Sequence, residues 1–132
     1  MNTKLIMTIS AVFLALAGIS LTFFPNEIAN QVGLGSEKPS QLLIQILGAL
    51  YFGFAMLNWM AKGSIIGGIY NKPLVIANLS HFLIGGLALI KGLMRGGIDR
   101  SPLFMILAGV YIIFAILFGI LFVRHPGNSA GA

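Results

Sequence analysis

Six side chains with usable chemistry stand in otherwise apolar stretches of this 132-residue chain: Gln45, Tyr51, Asn58, Asn78, His81 and Tyr111. Among them only His81 titrates near neutrality. Their spacing is helical. Gly48, Tyr51, Ala55 and Asn58 fall on one stripe with Gln45 beside it, and Asn78, His81, Gly85 and Ala88 fall on another. Counting from the nearest lysine or proline puts Asn58 and Asn78 at similar depth, near one end of their helices. Tyr51, His81 and Tyr111 lie toward the middle, within about two helical turns of one another. Two readings of such a polar core are open. It is a binding site for a small amphiphile, such as a quinone or a lipid headgroup, or a narrow polar pathway. Alternatively it is a set of interhelical hydrogen bonds, each worth about 0.6 kcal/mol on average. Either way these groups face the interior, because an unpaired polar group in hydrocarbon costs more than that.

Other chemistries lack their residues. The chain has no cysteine, hence no thiol relay and no thiolate metal site. Two histidines, one in an apolar run and one near the C-terminus, do not make a histidine-rich metal centre or a bis-histidine haem site. No cofactor and no metal is expected. Glu27, Glu37 and Asp99 are too scattered for paired acid–base catalysis, and none lies in an apolar run. Gly33-Leu34-Gly35 does not continue into a phosphate-binding loop. No catalytic residue is assigned.

The elements that must hold the six residues follow from where charge is missing. Hydrophobic residues make up 58% of the chain and charged residues 8%, against about 25% charged in an ordinary soluble domain. The uncharged intervals are residues 5–26, 39–61, 73–90 and 101–123, which hold 22, 23, 18 and 23 residues. About 20 apolar residues cross a hydrocarbon core as a helix. Four spans are expected, over residues 5–24, 41–61, 74–93 and 103–123. The runs are continuously apolar, which fits helices and not the short alternating strands of a barrel. The predicted fold is all-α, an antiparallel four-transmembrane-helix bundle treated as a single domain over residues 1–132, with residues 125–132 a flexible tail.

The ends carry matching signals. Pro25 closes the first span; Asn71 with Pro73, and Ser101 with Pro102, open the third and fourth. Lys4, an apolar run and Ala15-Leu16-Ala17 also suit a secretory signal with a small-residue cleavage site. The run continues to Phe24, however, and a full span favours a retained helix. Between the first two spans, Ile28, Val32 and Leu34 oppose Asn26, Glu27, Asn30 and Gln31, a pattern for a short interfacial helix ended by Gly33 and Gly35. It serves as a surface connector or as a lid. The segment from Lys62 to Lys72 is unusually apolar, with Ile65, Ile66, Ile69 and Tyr70 around Gly67 and Gly68, and is expected at headgroup level.

Lys4, Lys62, Lys72 and Arg124 fall on one side of the spans; Lys38, Lys91, Arg95 and Arg100 fall on the other. The positive-inside rule counts a tie, and cytoplasmic termini are the expectation. The net charge of +5 is spread over every loop, with no basic cluster along the chain of the kind that binds nucleic acid or anionic headgroups strongly, and it reads as ordinary flanking charge.

In lipid, helices associate by close packing, so small residues mark the interfaces. Glycine is 17 of 132 residues, roughly double the usual share. Ala11, Ala15 and Gly18 mark the first span, and Gly48 and Ala55 the second. Gly85, Ala88 and Gly92 mark the third, and Ala108, Ala115 and Gly119 the fourth.

Phe24-Pro25, the stretch from Leu47 through Gly53 to Asn58-Trp59, and the glycine-rich third span resemble the DoxX-like group of small bacterial four-helix membrane proteins. The resemblance implies a multi-pass protein of the bacterial inner membrane and a possible redox-enzyme partner, and it carries over no catalytic residue. The functional expectation is a small polytopic membrane protein without catalytic groups. It would act in the lipid bilayer as an accessory subunit of a larger membrane protein or as a homo-oligomer. The alternative is a binder or carrier of a small hydrophobic molecule, a quinone or lipid, centred on His81.

Overall fold

A computed structural model describes residues 2–63, 71–96 and 102–124. The expected N-cap Ser101, the apolar segment around Gly67 and Gly68, and the C-terminal tail lie outside the described residues. The described chain is all-helical: α1 (Thr3–Phe23), α2 (Pro25–Gln31), α3 (Lys38–Ala61), α4 (Lys72–Met94) and α5 (Pro102–Val123). All but α2 are long and apolar enough to cross a membrane. The observed ends lie within three residues of those expected. α3 and α4 begin one residue before their charge-free intervals, at Lys38 and Lys72, with Pro39 and Pro73 in the first turn, where the N–H groups have no intrahelical partner.

The outward surface is the apolar one. Met60 is 77% exposed, Ile84 68% and Leu16 63%, while Ser10, Asn58 and Asn78 are wholly buried. A chain with leucine and isoleucine outside and Ser10, Asn58 and Asn78 inside is arranged for hydrocarbon surroundings, where each unpaired polar group is costly. It is an integral multi-pass membrane protein.

The chain divides into two compact units, Met1–Gly63 and Ser64–Ala132. In the first, α1 and α3 pack together and α2 lies against them. Asn2 caps α1, its side-chain oxygen accepting from the Leu5 N–H at 3.1 Å. Phe24 leaves the helical region (φ −121, ψ 45) because it precedes Pro25, whose ring crowds an α-conformation in the residue before it. Pro25 then opens α2.

Gly33 ends α2 as predicted. At φ 75 it permits the Leu34 N–H to reach back to Ala29 O at 2.9 Å while its own N–H bonds Asn30 O at 3.2 Å. That pair of bonds is a Schellman closure. Asn26, Glu27, Asn30 and Gln31 are exposed as expected. The apolar side differs: Ala29 is the buried anchor, and Leu34 is 59% exposed. The Schellman turn swings Leu34 off the helix face that the periodicity assigned to it. Gln41 at the start of α3 ties the connector down, donating to Ser36 O at 2.8 Å and Asn26 Oδ1 at 3.3 Å.

In the second unit α4 packs on α5. Asn71 is the N-cap of α4 without a side-chain cap bond, and Pro73 occupies its first turn.

Candidate functional site

The α1–α3 pair is antiparallel, with Gly18 opposite Gly48 and Ser10 opposite Asn58. At the first crossing the backbones nearly touch. A Cβ on Gly18 would stand 2.7 Å from the Phe52 nitrogen and 2.9 Å from Gly48 O, and one on Gly48 would meet Thr22 Oγ1 at 2.5 Å. Thr22 fits there because its hydroxyl turns back on its own helix, donating to Gly18 O at 2.8 Å. Three turns away Asn58 Nδ2 donates to Ser10 Oγ at 3.1 Å, and Ser10 Oγ donates to Met7 O at 3.0 Å. The stripe Gly48–Tyr51–Ala55–Asn58 is therefore largely the face that α3 turns to α1. Gly48, Ala55 and Asn58 are buried and Tyr51 half-buried. Gln45, beside the stripe, is exposed. Ala11 and Gly18 are buried as packing residues, and Ala15 is half-buried.

Along one flank of this seam run two apolar hollows. One, about 310 Å³, is lined by Ala11, Ala15, Leu16, Ala55 and Trp59 among others. The other, about 390 Å³, lies between Gly18, Thr22, Ala49 and Phe52. Beyond the first, Lys62 Nζ stands 2.9 Å over the centre of the Trp59 ring system, a cation–π contact.

The α4–α5 pair is built on rings. Phe82 is fully buried among aromatic side chains. Phe114 and Phe118 stack on it at centroid distances of 4.7 and 5.8 Å, and His81 and Tyr111 meet it edge-on at 5.0 and 5.3 Å. Tyr111 OH and His81 Nε2 are 3.3 Å apart. The Tyr111 ring lies where a side chain on Gly85 would be: a Cβ there would meet Tyr111 Cε1 at 2.5 Å. Asn78, one turn before Phe82 and fully buried, donates through Nδ2 to Leu74 O at 3.0 Å. Gly92 and Gly119 are half-buried, and a Cβ on Gly119 would find only Leu79 Cδ1 at 3.8 Å. Gly119 thus has room for a methyl group, unlike Gly18, Gly48 and Gly85. Ala88 is exposed.

Of the six candidate residues, His81 and Tyr111 come together on α4 and α5, with Asn78 on the same buried stripe of α4. Asn58 finds Ser10 in the other unit, where Tyr51 also lies. Ser10 and Phe82 are the residues that sequence reasoning missed. The charge-free first span holds few polar positions, so Ser10 was visible as one of them; Phe82 carried no signal among so many apolar neighbours.

Among the described residues, every buried side-chain nitrogen and oxygen has a hydrogen-bond partner. No group of three His, Asp or Glu side chains that could hold a metal occurs among them either. No family model matches the chain, and no curated protein or solved structure is similar to it.

Proposed function

We propose that this chain is a membrane module without catalytic groups, acting through its helix surfaces as an accessory subunit of a larger membrane protein or as a homo-oligomer. The observation that carries this reading is the use made of the polar side chains. Ser10, Asn58 and Asn78 make helix-to-helix and back-to-helix bonds, and among the described residues every buried side-chain nitrogen and oxygen already has a partner. The faces left open are apolar and offered to lipid or to another membrane helix. The DoxX-like resemblance supports the bacterial inner membrane as its setting; cytoplasmic termini are adopted although the basic residues tie across the two sides.

Native mass spectrometry of the chain extracted in mild detergent from its own membrane tests the reading. A defined complex, with itself or with a larger subunit, is the expected result. A strict monomer that co-purifies with no protein overturns it.

One observation favours a second reading, a carrier of a small hydrophobic molecule. His81 is half-buried and paired with Tyr111 in the middle of a span, where an ionisable side chain is uncommon. That reading expects one stoichiometric small molecule in the same spectra, lost in His81→Ala. An unchanged spectrum in the variant removes it.

A further inference from the structure

We propose that the α1–α3 seam holds an anionic phospholipid, with one acyl chain in the hollow between Ala15 and Trp59 and the headgroup phosphate between Lys4 and Lys62. The inference rests on the chain being a membrane protein and not on the identity of any protein partner.

Two stripes converge on this hollow. On α1, Lys4, Thr8, Ala11 and Ala15 recur at i, i+4, i+7 and i+11, so they share one side of the helix. On α3, Ala55, Trp59 and Lys62 recur at i, i+4 and i+7. Ala11, Ala15, Ala55 and Trp59 line the hollow itself. Because Ser10 faces Asn58, the antiparallel register brings the N-terminal end of α1 and the C-terminal end of α3 to the same level. Lys4 lies six residues beyond Ser10 and Lys62 four beyond Asn58, about 9 and 6 Å along the axes. Two lysines far apart in sequence thus flank one end of one apolar groove. From Lys4 to Leu16 is about 18 Å along the helix, close to the depth of about 15 Å that one leaflet's hydrocarbon occupies.

Charge decides the occupant. In this unit both carboxylates, Glu27 and Glu37, lie at the opposite end of the α1–α3 pair. A second copy of the chain seated in the groove in parallel orientation brings lysine to lysine and no acid to neutralise them. A phosphodiester supplies the missing anion and its own acyl chain fills the hollow. The Trp59 ring covers one side of the Lys62 ammonium. An ammonium carries three N–H donors, so others stay available for phosphate oxygens.

The test is native mass spectrometry of the delipidated full chain in mild detergent. It is titrated with dioleoyl phosphatidylglycerol or with dioleoyl phosphatidylcholine, which share acyl chains and differ in charge. The expected result is one retained phosphatidylglycerol, bound roughly tenfold more tightly than phosphatidylcholine. Lys4→Gln with Lys62→Gln should abolish that preference, because the net negative charge of phosphatidylglycerol then meets no cation at that end of the groove. Lys91→Gln with Arg95→Gln, at the end of α4, should change nothing. Ala15→Phe, which fills the hollow, should lower retention of both lipids; helical circular dichroism checks its fold, and the surface lysine variants keep the test decisive if it fails to fold. Equal retention of the two lipids by the unaltered chain overturns the proposal. So does a preference that survives the double lysine substitution, or a dimer that excludes lipid and is lost in Ala15→Phe.

Discussion

The α1–α3 and α4–α5 pairs solve the same problem with different materials. Lipid removes the hydrophobic drive between helices, so each pair must be held by packing and by buried polar bonds. The first pair removes side chains: at Gly18 and Gly48 the two backbones approach until no Cβ fits. The second adds them, surrounding Phe82 with Tyr111, Phe114, Phe118 and His81 and using Gly85 to seat a ring rather than a backbone. Each also carries a polar contact, Asn58 to Ser10 some three turns from the glycine crossing in one and Tyr111 to His81 beside Phe82 in the other. Contact by backbone tolerates no added atom, whereas contact by ring tolerates no removed one. The two pairs should therefore fail under opposite substitutions.

The largest effect is expected where the most contact is lost. Phe82→Ala removes a ring packed against His81, Tyr111, Phe114 and Phe118 and should cost about 3 kcal/mol, the low end for such truncations in water-soluble cores because the transfer contribution disappears in lipid. Denaturant unfolding in mild detergent measures the loss. Hydrogen exchange should rise in α4 and α5 before α1 and α3. Uniform acceleration across all four would break the distinction between the pairs.

Gly18→Ala comes next. The added methyl meets the Phe52 nitrogen and Gly48 O, neither of which can rotate away, so the helices must part, at about 2 kcal/mol. Gly53→Ala is the comparison on α3, since a Cβ there meets nothing within 4 Å. It should be neutral or stabilising by about 0.5 kcal/mol from backbone entropy alone. Unfolding free energies that are equal for the two variants would show that close backbone approach is not what holds α1 to α3.

Asn58→Leu sharpens the comparison at its polar point. It removes the donor to Ser10 but leaves the Ser10 hydroxyl its bond to Met7 O. The expected cost is about 1 kcal/mol. Ser10→Ala combined with Asn58→Leu should cost less than the two singly, because the bond between them can be lost only once.

How much of this was legible beforehand depends on which contrast the sequence carries. Charge against apolarity is a strong contrast, and it set the four spans to within three residues. Gly33 was legible as a stop because a left-handed turn after a helix favours glycine. The faces were only half legible. Gly48, Ala55 and Asn58 mark a stripe because small or polar residues differ from leucine, but nothing in the stripe names the helix across from it. Asn58 pairs with Ser10, 48 residues earlier, and no periodicity spans that distance. Phe82 was invisible for another reason: Leu83, Ile84 and Leu87 are exposed on the same helix and just as apolar. When the solvent is hydrocarbon, hydrophobicity no longer separates inside from outside, and the aromatic centre of α4–α5 leaves no trace in composition.

The smallest expected effect tests whether His81 holds its pair together or merely sits in it. Tyr111→Phe keeps the ring that fills the space at Gly85 and stacks edge-on against Phe82. It deletes only the hydroxyl, whose contact with His81 Nε2 at 3.3 Å is longer than a strong O–H hydrogen bond of about 2.7 Å. The loss should be about 0.6 kcal/mol, the average for a polar contact between membrane helices. Gly85→Ala drives a methyl group to 2.5 Å from Tyr111 Cε1 and should cost more, because the ring is wedged between Gly85 and Phe82 and has no free direction to turn. If unfolding measurements reverse that order, α4 and α5 are held by the tyrosine–histidine bond and not by ring packing. The contrast drawn between the two pairs would then fail, because α4–α5 would rest on a buried polar contact and not on its rings.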